Sequence, residues 1–206
     1  MALAAGGLVW LFDDQVGEAV DVVSNLIGDL TNRGRRLTTS PARNDAGRVT
    51  DTPEKLLAEA QALLGRAISM DAYALARMVR SEGGNGPVPE KQARVWVALN
   101  DRDAHRWSTL YTIAGPTGLF GPQRGWRYAS GSDPYENDLY LAEAVLAGQL
   151  ADNTGGATKF VDIDSFGVQE GTGSYEDLVE RWGKDGLAPF EVEGARAPFR
   201  VFRRVA

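Results

Sequence analysis

Tyr73-Ala74-Leu75-Ala76-Arg77-Met78-Val79-Arg80-Ser81-Glu82-Gly83-Gly84 is the stretch on which the fold turns. Tyr73, Leu75, Met78 and Val79 supply an apolar helical face, and Asp71 stands where it can cap the start. The helix is expected to end at Glu82, because Gly83-Gly84-Asn85-Gly86-Pro87 cannot continue it. Pro89 then opens another helix through Ala93, Val95, Trp96, Ala98 and Leu99. A carboxylate is thereby placed at a sharp helix-to-helix junction.

Working outward, Thr52-Pro53 reads as a capped helix start, with Leu56, Leu57, Ala60, Leu63, Leu64, Ala67 and Ile68 as its apolar stripe. Residues 115 to 134 are punctuated by Gly and Pro, as a long structured loop would be. Residues 135 to 148 are helical, with Leu139, Ala142, Val145 and Leu146 inward. Ser174-Tyr175-Glu176-Asp177 resembles a capping box ahead of a short helix to Trp182. Phe190-Glu191-Val192 and Phe199-Arg200-Val201-Phe202 alternate at period two, predicting a small C-terminal hairpin. The fold class is α+β, mostly α.

Residues 8 to 30 read as an amphipathic helix, with Leu8, Phe12, Val16, Val20, Val23, Ile27 and Leu30 on one face. Asp13, Asp14, Glu18, Asp21 and Asp29 lie opposite; a membrane-surface helix is normally basic there. That face suits packing on protein, either the chain's own core or a partner. Residues 31 to 50 are turn-rich and carry Arg33, Arg35, Arg36, Arg43 and Arg48, a linker pattern. The division is an N-terminal docking segment over 1–50 and a catalytic domain over 51–206. No basic n-region opens the chain, so no signal peptide is expected, and the first apolar run falls short of the about 20 residues a span needs.

Composition excludes several chemistries. With no Cys and a single His among 206 residues, disulfides, thiol nucleophiles and Cys- or multi-His metal sites are ruled out. No cofactor or metal is expected. His105, between Asp103 and Arg106, reads as a polar loop residue. A net charge of -6 argues against nucleic acid, whose binders need surplus cations.

Two segments can carry chemistry. Glu82 at a helix C-terminus meets the negative pole, which favours the protonated acid and suits a general acid for glycoside cleavage. Most helix-end glutamates are simply solvated, so this signal alone is weak. Asp152-Asn153-Thr154-Gly155-Gly156-Ala157-Thr158-Lys159-Phe160 combines backbone amides, hydroxyls and a ring face, which a sugar ligand needs. The same residues equally suit a tight turn feeding a strand.

Together these segments resemble the SleB-like cell-wall hydrolases. In that family a helix ending in Glu-Ala/Gly precedes a Gly-Gln-x-Ala-Val-Ala-x-Val-x-Leu-Asn-Arg helix. Here Gln92-Ala93-Arg94-Val95-Trp96-Val97-Ala98-Leu99-Asn100 follows Glu82 in the matching order. Ala142-Glu143-Ala144-Val145-Leu146-Ala147-Gly148 and Asp152 to Phe160 are similar to the family's Ala-x-x-x-Leu-x-Gly…Asp-Pro-Thr-Gly-Gly-Ala-x-x-Phe segment. Pro198 to Phe202 resembles its closing strand. The likeness covers residues 70 to 204, and Glu82 and the Thr-Gly-Gly-Ala turn are its most specific parts. Asn153 replaces the usual Pro, Asp101 the usual Arg, and Val161-Asp162-Ile163 the usual Tyr-Asn-Pro.

The resemblance implies a lysozyme-like, lytic-transglycosylase-related fold that cleaves peptidoglycan glycan strands, with Glu82 as the catalytic residue. Gln92, Asn100, Gln123, Thr154, Gly156, Thr158 and Phe160 are the expected substrate-binding residues. Gln92 and Asn100 are expected to face Glu82, and Gly156 to permit the turn. Trp126 and Tyr128 can stack on sugars or seal the core. Glu90, Asp101, Asp103 and Asp133 are candidate partner acids, but none is marked by a motif, so a single-acid route is favoured. The N-terminal helix and Arg-rich linker point to carriage by a phage tail or contractile injection particle, acting on the periplasmic or extracellular wall. Release from a host cytoplasm is another enzyme route. The alternative of a different class is a catalytically silent structural or binding component of such a particle.

Overall fold

A computed structural model describes residues 34–37, 51–83, 86–105, 133–165 and 173–205. The expected helix over 8 to 30, most of the 31 to 50 segment, and Gln123, Trp126 and Tyr128 lie outside the described residues. The described chain is α+β and mostly helical, with α1 (Pro53–Leu64), α2 (Met70–Gly83), α3 (Val88–His105), α4 (Glu136–Leu146), β1 (Lys159–Asp162), a 3-10 turn (Ile163–Ser165), α5 (Tyr175–Lys184), β2 (Leu187–Phe190) and β3 (Phe199–Arg204).

The local starts follow capping chemistry. The Thr52 side chain accepts the Lys55 N–H at the head of α1, and Ser174 exchanges bonds with Asp177 at the head of α5. At α2 the expected cap shifts by two residues. Ser69 Oγ accepts the Ala72 N–H at 3.1 Å, and Asp71 lies inside the first turn, where its charge meets the positive pole. The first helix also stops earlier than its apolar stripe, because Gly65 turns left-handed after Leu64.

The core has two parts, one on each side of α3. Val95, Ala98 and Leu99 pack with Tyr73, Leu75, Met78 and Val79 of α2 and Leu139, Ala142 and Val145 of α4. Ala93 and Val97 face the other way, toward Ala157, Val192, Phe199 and Val201. Buried apolar residues on both faces make α3 the central element.

The C-terminal pairing is a three-stranded antiparallel sheet, ordered β1-β3-β2. The expected hairpin is present with its first strand shifted: β2 is Leu187–Phe190, so Glu191 and Val192 lie beyond it, and it pairs with β3 in register Phe190↔Val201 while β1 joins the other edge of β3 with Phe160↔Val201. Strand alternation divides β3. Phe199 and Val201 pack toward α3, while Phe202 meets the Trp182 ring of α5 edge-on at 4.6 Å. The sheet is thus held between α3 and α5.

Part of the expected linker belongs to the fold. Arg36 forms an antiparallel bridge with Tyr135; Leu37 N–H donates to Pro134 O at 3.0 Å, and Glu136 N–H donates to Arg35 O at 2.9 Å. The Leu37 side chain is buried in the main core. A Cβ on Gly34 would stand 2.9 Å from Glu136 Cβ, so only glycine allows this approach.

Candidate active site

Glu82 lies in the last turn of α2, half-buried, with Oε1 buried. It lies within electrostatic reach of Arg94 of α3. Arg94 is itself buried, and its guanidinium lies 4.6 Å from the Phe199 ring centre and 5.3 Å from that of Phe160. Burial lowers its pKa from the usual range, opposed by the charges of Glu90 and Glu82.

Glu90 ties this neighbourhood together. Arg94 Nη1 donates to its Oε1 at 2.7 Å, Arg196 Nη2 to the same atom at 2.6 Å, and Arg196 Nε to Oε2 at 2.8 Å. Arg196 also reaches Asp162 Oδ2 of β1 at 3.3 Å. Burial pushes the Glu90 carboxyl upward, but the hydrogen bonds and charges of the two arginines outweigh it and hold the carboxyl below its ordinary value. Glu90 therefore serves as an ionised counter-ion. The other candidate partner acids are also engaged: Asp101 is buried 3.7 Å from Lys159, Asp133 is buried 3.5 Å from Arg77, and Asp103 is exposed and paired with Arg102 at 2.7 Å.

The Asp152–Ala157 turn is fastened to α3. Asp152 Oδ1 accepts from the Thr154 N–H at 2.7 Å and the Thr154 hydroxyl at 2.6 Å, while Oδ2 accepts the Gly156 N–H at 3.0 Å. Asn100 Nδ2 stands 3.2 Å from both Asp152 Oδ2 and Thr154 Oγ1, and 3.1 Å from Ala157 O. Gln92 donates to Ala151 O at 2.7 Å, and Asn153 donates to Pro89 O at 2.9 Å.

The structure therefore brings Gln92, Asn100, Thr154 and Gly156 into one unit, but gives three of them a different task from the expected one. The Gln92 and Asn100 amides are engaged by the 151–157 segment. Thr154 is fully buried, and its hydroxyl is spent inside the turn. Gly156 is exposed at φ +82°, a backbone that L side chains rarely adopt. Thr158 and Phe160 keep part of their surface exposed and lead from the turn into β1, where the Phe160 ring meets Phe199 and Arg94. The turn does feed a strand, the plainer of the two readings of that segment.

Sequence reasoning passed over Arg94 and gave Glu90 another role. An acid and a base four apart on a helix ordinarily read as a solvated pair. The available signal was their position, on the same side of α3 as Ala93 and Val97. Among the described residues, no group of three or more His, Cys, Asp or Glu is placed to hold a metal ion, and no helix is long and apolar enough to cross a membrane. No protein family, curated protein or solved structure matches the chain.

Proposed function

We propose that the chain cleaves peptidoglycan glycan strands at the MurNAc–GlcNAc β-1,4 bond through a lysozyme-like, lytic-transglycosylase-type domain, with Glu82 as the catalytic acid. The observation that carries the reading is the placement of Glu82. It stands half-buried in the last turn of a helix, with Oε1 buried, at the junction where α2 gives way to α3. The resemblance of residues 70 to 204 to SleB-like hydrolases supplies the substrate class.

Glu82 protonates the bridging oxygen, and the C1–O bond breaks toward an oxocarbenium-like centre. The 6-hydroxyl of the same MurNAc attacks C1 and returns its proton to Glu82. The product is a 1,6-anhydro sugar, and no water-activating base is needed, because intramolecular capture has high effective molarity. The engagement of Glu90, Asp101, Asp103 and Asp133 in ion pairs supports this single-acid route. The exposed faces of Gly156, Thr158 and Phe160 are the glycan contacts of the described surface. Gln123 is a further proposed contact. Carriage by a phage tail or contractile injection particle, with the N-terminal segment as the docking handle, accounts for an acidic amphipathic stretch ahead of a wall-cutting domain.

The test is clearing of purified peptidoglycan by wild type and Glu82→Gln, with product masses. Loss of at least about 100-fold in Glu82→Gln and an anhydro-MurNAc product are expected. Equal clearing by both proteins excludes Glu82, a reducing-end MurNAc excludes the intramolecular capture, and inactivity of the wild type favours a silent structural component.

A further inference from the structure

We infer that Asp138 is the positioning residue of the Glu82 site: a buried carboxylate on α4 that fixes the two helix ends on either side of the Glu82–Pro87 junction. The inference rests on the reading of Glu82 as the catalytic acid. Asp138 is fully buried at its side chain. Its Oδ2 accepts from Arg80 Nε at 2.8 Å and stands 2.7 Å from Arg80 Nη2. Oδ1 accepts from Lys91 Nζ at 3.1 Å. Arg80 is two residues before Glu82 on α2, and Lys91 lies in the first turn of α3, so a single carboxylate spans the junction.

Asp138 is itself held. The Tyr135 N–H donates to its Oδ2 at 3.0 Å, which fixes the carboxylate at the start of α4. The Tyr135 ring lies 4.4 Å from the Arg80 guanidinium, and Arg36 lies over the same ring at 5.6 Å. Arg80 is thus gripped by a carboxylate and an aromatic face together. Two cations sharing one buried acid are a costly arrangement for stability alone, since apolar residues can often fill such a site as well. What the arrangement supplies is geometry: the last turn of α2 cannot rotate or slide against α3 without breaking charged hydrogen bonds. A catalytic acid must be placed to within a fraction of an ångström, and a displacement of about 1 Å can cost about 100-fold in rate.

Asp138→Asn keeps the shape and loses the charge; Glu143→Gln, on the same helix, breaks the Arg66 pair at 2.7 Å and leaves Arg80 and Lys91 alone. Turnover of soluble glycan strands by the full chain is measured beside amide hydrogen exchange over residues 78 to 92. Asp138→Asn is expected to lower kcat about 10- to 100-fold with KM within about twofold, and to speed exchange in the last turn of α2 and the first of α3. Glu143→Gln is expected to keep wild-type turnover and wild-type exchange there. Wild-type kcat in Asp138→Asn, or an equal loss in Glu143→Gln, overturns the inference. If Asp138→Asn fails to fold, Arg80→Gln and Lys91→Gln carry the same test, each cutting one arm of the clamp. Glu82→Gln separates the two readings: activity there refutes the catalytic acid, whereas an inactive Glu82→Gln beside a fully active Asp138→Asn refutes only the clamp. Should the wild type cleave nothing, the exchange measurement decides alone, and unchanged exchange rejects Asp138.

Discussion

Glu90 shows why a residue's type and its role come apart. By sequence it is one of several acids near Glu82; in the fold its side chain is buried and bonded to two arginines. Removing its charge leaves Arg94 buried without its counter-ion, and breaking such a pair from one side costs about 3–5 kcal/mol. Glu90→Gln is therefore expected to lose stability on that scale in urea unfolding at neutral pH. The pH dependence has a defined sign. The Glu90 carboxyl is depressed from 4.5 in the folded state, so its contribution is complete above that value. It declines as pH falls through the lower folded value. The wild type should lose stability over that acidic window, and Glu90→Gln should lack that component; parallel curves for the two proteins would refute the assignment. The position of Glu82 near a helix end was legible because a helix break is written in adjacent residues. Arg94 and Asp138 were not, since Arg94 meets the rings of Phe160 and Phe199 from distant strands, and Asp138 meets Arg80 and Lys91, 58 and 47 residues away along the chain.

At the level of elements, the chain signals its helices through local chemistry: Thr52-Pro53, the glycines after Glu82, and the Ser174–Asp177 box all act within a few residues. Of the hairpin, the closing strand was legible from the alternation of Phe199 and Val201, whereas its partner is Leu187–Phe190 and not the expected Phe190-Glu191-Val192. The arm over 34–37 had no such signal. Gly34-Arg35-Arg36-Leu37 has no period, and its order comes from backbone groups of residues 134 and 136. Arg35 also donates to Leu63 O at 2.7 Å, satisfying a carbonyl near the end of α1. The arm thus joins α1 to α4. Truncating its buried anchor is a clean test: Leu37→Ala is expected to cost about 2–5 kcal/mol, the usual range for a buried leucine, in chemical denaturation. A loss below about 0.5 kcal/mol would show that the arm is dispensable to the fold.

For the whole molecule, the arm changes where the chain should be divided. A boundary at residue 50 follows from composition, but Leu37 sits in the same core as α2, α3 and α4. A chain cut to 51–206 would lose a core residue and the bridge to Tyr135, so any loss of function there would confuse folding with docking. A chain cut to 34–206 keeps both. If the N-terminal segment is the handle by which a particle carries a wall-cutting domain, the two properties should separate at that cut. The 34–206 chain is expected to unfold at a temperature close to that of the full chain and to clear peptidoglycan at a comparable rate. It is expected to be missing from purified particles that incorporate the full chain, as immunoblotting of a particle preparation would show. Incorporation of the 34–206 chain at the full-length level would place the docking surface on the folded domain and remove the reason for assigning it to the acidic amphipathic stretch. Loss of clearing on this cut would instead mean that residues 1–33 support the folded domain itself, the other arrangement that an apolar helical face allows.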